Sequence, residues 1–207
     1  MRIRISFKKI AQLRFTSTLD LQTIWERSLR RANVHIEYSE GFHPQPKIQI
    51  GLPLPLGMRG LNEKVDIWLK DSFLINELYS VLEGKLPDGL EILNIEKIPS
   101  HEKALSTKIR LSEYNIFITN KDISIIDIQT KINDLLLNNE IMRIKRNGKK
   151  YDLRPLIESI KIQQDSFNSQ ICVKLLSQPN KTGRADEVMF ALGLTLDDFL
   201  IERTGFY

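Results

Sequence analysis

Arg2-Ile-Arg-Ile-Ser-Phe7 alternates basic or polar with apolar residues, the period-two pattern of a strand that buries one face. A helix follows over 18 to 33. Leu21, Ile24, Trp25, Ser28, Leu29 and Ala32 share one side of it, Ser17 or Thr18 supplies the cap, and Asp20 suits the positive N-terminal end. Working outward, strands are expected at 47 to 51 and over Lys64-Val-Asp-Ile-Trp-Leu69. A second helix fits 72 to 84, and Leu90-Glu-Ile-Leu-Asn-Ile95 reads as another strand. The order is βαββαβ, the ferredoxin-like pattern, with two helices stacked on one face of a four-stranded antiparallel sheet.

The second half repeats that order with an addition. A strand over 107 to 119 precedes an amphipathic helix near 123 to 138, on which Ile125, Ile128, Ile132 and Leu135 are in register. Ile141-Met-Arg-Ile-Lys-Arg146 then turns at Asn147-Gly148, the pair suited to a type I′ turn, and returns through Lys149-Lys-Tyr-Asp-Leu153. Strands near 156 to 163 and 170 to 177, a helix at about 184 to 192 and a strand near 199 to 203 complete the copy. The expected fold class is α+β: two tandem ferredoxin-like domains, 1–98 and 107–207, with an extra β-hairpin at 141–153 in the second and a polar linker at 98–106.

Composition sets the class of partner. The 207 residues carry a net charge of +4, 42% hydrophobic and 27% charged residues, a soluble globular balance with no apolar run near the roughly 20 residues of a membrane span. The N-terminus lacks a secretory signal, so the cytoplasm is the expected compartment. The single cysteine, Cys172, sits in an apolar stretch and is expected to be a buried, inert thiol; one cysteine also rules out a cysteine-ligated iron–sulfur cluster within this chain. Charge is uneven. Residues 1 to 60 hold ten Lys/Arg against four Asp/Glu, and residues 143 to 154 hold six bases and one acid, two basic islands that suit a polyanion such as RNA ahead of a membrane.

Tyr38-Ser-Glu-Gly-Phe-His-Pro-Gln-Pro-Lys47, continuing through Gly51-Leu-Pro-Leu-Pro-Leu-Gly57, excludes helix by its prolines and glycines. In an extended chain, His43, Gln45 and Lys47 would project to one side. This loop, 38–57, matches the most recognisable stretch of a bacterial family, the radical-SAM-linked proteins. Arg14-Phe-Thr-Ser-Thr-Leu-Asp-Leu21 is similar to that family's Arg-Phe-x-Ser-His-Leu-Asp block, and Tyr151-Asp-Leu-Arg-Pro-Leu156 and Gly183-Arg-Ala-Asp-Glu-Val-Met-Phe-Ala-Leu-Gly193 resemble its second-half signatures. Thr18 and Gln45 stand where the family commonly has histidine, so roles needing imidazole at those positions are not carried over. The resemblance implies a domain fused to, or encoded beside, a radical-SAM enzyme with a cobalamin-binding-like region. The partner would carry the iron–sulfur cluster, S-adenosylmethionine and cobalamin; this chain, with no cofactor of its own, would be the accessory.

Three functions are carried forward. The first is a surface that binds or presents an RNA (tRNA or rRNA) or ribosome-associated substrate. Arg2 and Arg4 on a sheet face, Arg27, Arg30 and Arg31 on one helix flank, and the hairpin bases Arg143, Lys145, Arg146, Lys149 and Lys150 would contact phosphates, with Phe42, Tyr38 and Tyr151 stacking on unpaired bases. Arg14, Ser17 and Asp20 form a helix-start cluster, and Glu40, His43, Lys47 and Arg154 are expected to line a shared cleft. For that first function, two ferredoxin-like domains side by side would also resemble the architecture of CRISPR repeat-processing endonucleases. The second is metal-independent RNA cleavage, with Tyr38, His43 and Lys47 providing base, acid and cationic stabilisation. The third is docking on the radical-SAM enzyme without RNA contact, anchored by Phe42, Leu52, Leu54 and Leu56. A metal at Glu40 with His43, or at Glu63 with Asp66, lacks tight ligand spacing, and the carboxylates at 63 and 66 are expected to face water or pair with arginine.

Overall fold

The computed structural model describes residues 1–145, 147–164, 169–178 and 181–207. The chain divides into two units, Met1–Ile109 and Arg110–Tyr207. Both are α+β with antiparallel sheets, and among the described residues no helix is long and apolar enough to cross a membrane.

In the first unit, β1 (Arg2–Lys9) leads through a short 3-10 turn to α1 (Thr18–Arg31), then β2 (Ile48–Ile50), β3 (Arg59–Trp68), α2 (Ile75–Leu82), β4 (Leu90–Ile98) and a single helical turn, α3 (Leu105–Lys108). The strands lie in the order β2-β3-β1-β4, each antiparallel to its neighbours. Alternation along β1 sends Ile3, Ile5 and Phe7 to one face, where they meet Leu21, Trp25 and Leu29 of α1, Val65 and Ile67 of β3, and Leu78 and Leu82 of α2. Phe7 and Trp25 meet edge to face, centroids 5.2 Å apart. Helix α2 starts later than its apolar spacing suggests: Leu74 stays outside, exposed, and its amide donates to Glu77, which closes the first turn.

The opposite face of β1 and β3 corrects an expectation. Alternation alone puts Arg2 and Arg4 on a solvent-facing sheet surface, yet both bind Asp66, whose side chain is wholly buried: Arg2 Nη2 lies 2.6 Å from Oδ2, and Arg4 grips both oxygens at 2.7 and 2.9 Å. Asp66 therefore pairs with arginine rather than facing water. The register makes this contact, since Arg4 sits directly opposite Asp66. Arg2 also stacks over Trp68, 4.7 Å from its centroid, and donates through Nη1 to the Glu102 carbonyl at 2.5 Å, so the 99–108 segment closes over this face. Two guanidiniums engaged this way are not available to phosphates.

The second unit contains β5 (Leu111–Ile118), α4 (Ile125–Leu137), β6 (Met142–Ile144), β7 (Lys150–Asp152), β8 (Ile157–Gln164), β9 (Ser169–Gln178), β10 (Lys181–Thr182), α5 (Ala185–Ala191) and β11 (Phe199–Phe206). Its main strands follow β8-β9-β5-β11, antiparallel throughout, and β10 extends the edge of β9. Setting α3, β6, β7 and β10 aside, both element order and strand order equal those of the first unit. Cys172 is half-buried and its thiol is pushed up by burial and then by Glu113, which keeps it protonated.

The β6–β7 turn differs from the expected type I′ form. Arg143 pairs with Tyr151 and Ile144 with Lys150, which centres the loop on Asn147, one residue more than a two-residue turn has. Gly148 takes the left-handed conformation at φ +79°, its amide donates to the Lys145 carbonyl, and the Asn147 side chain accepts from the Lys149 amide. The glycine therefore serves a three-residue loop.

Asp66→Asn is expected to destabilise the first unit by about 3–5 kcal/mol, because it leaves the buried Arg2 and the half-buried Arg4 guanidiniums without their charge partner. Removing all three charges together, as Arg2→Met, Arg4→Met and Asp66→Leu, is expected to cost less. Urea denaturation of the three proteins checks this; an equal or larger loss in the triple variant would sink it.

Candidate functional site

The segment between α1 and β2 is a hairpin. Lys47 N donates to Glu37 O, Ser39 N to Gln45 O, and Tyr38 bridges Pro46, pairings that leave 40–44 as its tip. Ser39 Oγ accepts from the Gln45 amide at 2.9 Å, a bond available because Gln45 is the residue between two prolines that keeps its N–H. Gly41, at φ +118°, supplies the reversal, and a residue with a Cβ would be strained there.

Two acidic residues hold this hairpin in place. Tyr38 Oη donates to Glu26 of α1 at 2.8 Å, and Lys47 Nζ donates to Glu37 at 3.0 Å. At its base, Glu37 N donates to the Trp68 carbonyl and Trp68 N to that of Lys47, which fastens both legs to the end of β3. The hydrogen bond to Glu26, followed by desolvation, pushes the Tyr38 phenol up; Arg30 opposes this. A phenol that keeps its proton and already donates it is poorly placed to act as a base. Neither Glu26 nor Glu37 belongs to a motif that the sequence alone brings forward. The one signal is the spacing of Glu37 and Lys47 at equal distances from Phe42, which only a hairpin reading reveals.

The Arg14–Asp20 cluster is a helix cap. Ser17 Oγ accepts from Asp20 N at 3.1 Å, and the Asp20 carboxylate accepts from both the Ser17 amide and hydroxyl, a reciprocal capping box. These bonds to Ser17 hold the Asp20 carboxyl below its ordinary range. Arg14 lays its guanidinium 4.6 Å over the Phe15 ring, while its carbonyl accepts from Gly57 N at 2.9 Å. That bond ties the end of the Pro/Gly segment to the start of α1. Of the leucines in this segment, Leu54 is buried, Leu52 half-buried and Leu56 exposed.

The remaining candidates are dispersed. Arg27 and Arg30 project from the outer flank of α1 with no hydrogen bond or ion pair among the described residues, whereas Arg31 donates to Ser28 Oγ and the Lys85 carbonyl. Glu40, Phe42 and His43 occupy the exposed hairpin tip. In the second unit, Arg143 pairs with Glu187 at 2.7 Å and leans over Phe190, and Lys145 lies 5.4 Å from the Tyr151 ring centroid. Lys149 and Lys150 remain exposed, Arg146 lies outside the described residues, and Arg154 donates to the Leu136 carbonyl. Arg184 chelates Asp186 beside this group, and burial raises the Tyr151 phenol. The charged run 184–187 is legible as a motif, but its convergence on Arg143 is not. Among the described residues no cluster of three or more His, Cys, Asp or Glu is placed to hold a metal ion.

The model of a family described as "Uncharacterized protein conserved in bacteria (DUF2344)" matches residues 2–185, a span that takes in both hairpins. No curated protein matches. Among solved structures the chain is similar to one in "Crystal Structure of a Cbf5-Nop10-Gar1 Complex", at 11% identity and a TM-score of 0.51, covering 99% of this chain and 48% of that one. The chain thus spans about half the length of that relative, and the likeness is one of fold alone.

Ser17→Ala is expected to cost about 1 kcal/mol, read by urea denaturation. Since the Asp20 carboxyl titrates lower when folded, its contribution is complete above the unfolded aspartate pKa and is lost as pH falls through the lowered one. Asp20→Asn is expected to flatten that part of the stability profile; an unchanged acid limb would contradict the capping box.

Proposed function

The chain belongs to this family of uncharacterised bacterial proteins, and we propose that it is a non-catalytic RNA-binding accessory of a radical-SAM enzyme, acting in the cytoplasm. The observation that carries this reading is the flank of α1: Arg27 and Arg30 stand one turn apart, exposed, with no hydrogen bond or ion pair among the described residues, on the helix against which the 37–47 hairpin is braced. Guanidiniums left open on a rigid element suit phosphate oxygens. Each unit is ferredoxin-like, a reading supported by the shared β2-β3-β1-β4 and β8-β9-β5-β11 strand orders. Within the second unit by itself, the exposed Lys149 and Lys150 are further cationic groups suited to phosphates.

Catalysis by Tyr38, His43 and Lys47 is the weaker reading, because Tyr38 is held by Glu26 and Lys47 by Glu37. Docking without RNA contact has one observation in its favour. Phe15, Leu19 and Leu56 are all exposed near the Arg14–Gly57 tie, and an apolar patch of this kind suits a protein partner. The partner enzyme would supply the iron–sulfur cluster, S-adenosylmethionine and cobalamin, none of them held by this chain.

RNA affinity is expected to fall linearly with salt on logarithmic axes, and Arg27→Ala with Arg30→Ala to lessen the slope by roughly 0.7 for each phosphate that is no longer neutralised. Fluorescence anisotropy across a salt series measures it. Absent or salt-independent binding would refute the reading, and enzyme co-purification that disappears on Leu56→Ser without any RNA binding would favour docking.

A further inference from the structure

Phe42 is fully exposed, 102% of its reference area, at the tip of the hairpin. Burial of a phenylalanine side chain favours folding, and a solvent-facing ring contributes nothing of that kind. The side chain is also held out. The pairings between 37–39 and 45–47, the Tyr38–Glu26 and Lys47–Glu37 bonds, and the ties to Trp68 order the hairpin before any ligand arrives, so little entropy is lost when the ring is covered.

The surroundings of the ring select its ligand. A protein hot spot is ringed by contacts that exclude water, but Glu40, Gly41, His43 and Pro44 are all exposed and three of them carry no apolar side chain. A knob without such a ring offers one recognition element, a bare aromatic face, and the complementary group is another planar face. Glu40 beside it disfavours close approach of phosphates, so the tip addresses bases while Arg27 and Arg30 address the backbone. In duplex RNA the bases show only their edges, the major groove is too narrow for side chains, and faces become available only in single strands, loops and bulges.

Resting on the RNA reading above, we infer that the 37–47 hairpin is a base-stacking site for unpaired nucleotides, with Phe42 as the platform. The ligand class is single-stranded or looped RNA, and stacking makes the site tolerant of sequence.

The test uses the full chain and a short unstructured RNA carrying 2-aminopurine, free or annealed to its complement. The single strand is expected to bind more tightly than the duplex, with 2-aminopurine fluorescence quenched on binding. Phe42→Ala is expected to weaken single-strand binding about 5- to 150-fold and abolish the quench, the range for removal of one base stack. Phe42→Trp is expected to retain both. Binding of duplex and single strand with equal affinity, or an unaffected Phe42→Ala protein, would overturn the stacking site and leave RNA binding standing; no binding of either RNA would overturn both. Because the fully exposed ring buries nothing within the fold, circular dichroism of both variants is expected to match the parent.

Discussion

The buried carboxylate of Asp66 is the contact on which the first unit depends. It lies on β3, the strand shared by β1 and β2, opposite Arg4 on one side and Gln49 on the other. A buried carboxylate is tolerated when its charge is matched and its oxygens are hydrogen-bonded, and Arg2 and Arg4 do both through three N–H donors. A slip of one residue in the β1–β3 pairing would bring a neighbour of Arg4 opposite Asp66 and turn the apolar side chains of β1 away from Trp25. Register, core and ion cluster are therefore specified together. Since Lys47 runs directly into β2, the hairpin that begins the candidate site inherits its position from that register.

The two units solve the same problem in parallel. Each places an elaboration between its first helix and its second strand: the 37–47 hairpin in one, β6–β7 in the other. Each elaboration is fixed by an acidic residue from a helix of its own unit, Glu26 for Tyr38 and Glu187 for Arg143. The difference lies in what is left over. In the second unit Arg143 is turned toward Glu187 and the exposed Lys145 lies over Tyr151, while Lys149 and Lys150 are exposed beside the turn. In the first, the acid braces the hairpin, and Arg27 and Arg30 of α1 have no hydrogen bond or ion pair among the described residues.

Periodicity carries the element order well, because it records which residues must be hidden. The α1 stripe and the alternation in β1 are read directly, whereas the cap is narrowed only to Ser17 or Thr18, between which the capping box chooses Ser17. What periodicity lacks is any account of the other face. Arg2 and Arg4 look like solvent-facing bases until the 99–108 segment and Asp66 are placed over them, a long-range fact with no local signature. The type I′ expectation at Asn147-Gly148 fails for a related reason: dipeptide preference cannot count the residues in the loop, which strand register decides. Within the site, composition locates the Pro/Gly loop, whereas the bracing of Tyr38 and Lys47 depends on Glu26 and Glu37, residues with no motif of their own.

The central claim is that the first-unit hairpin presents Phe42 to RNA. Ultraviolet crosslinking in cells, followed by mass spectrometric mapping of the crosslinked peptides, tests it most directly. The account predicts nucleotide adducts within 37–47, centred on Phe42. Adducts confined to other segments, or a protein that crosslinks to no RNA, would contradict it.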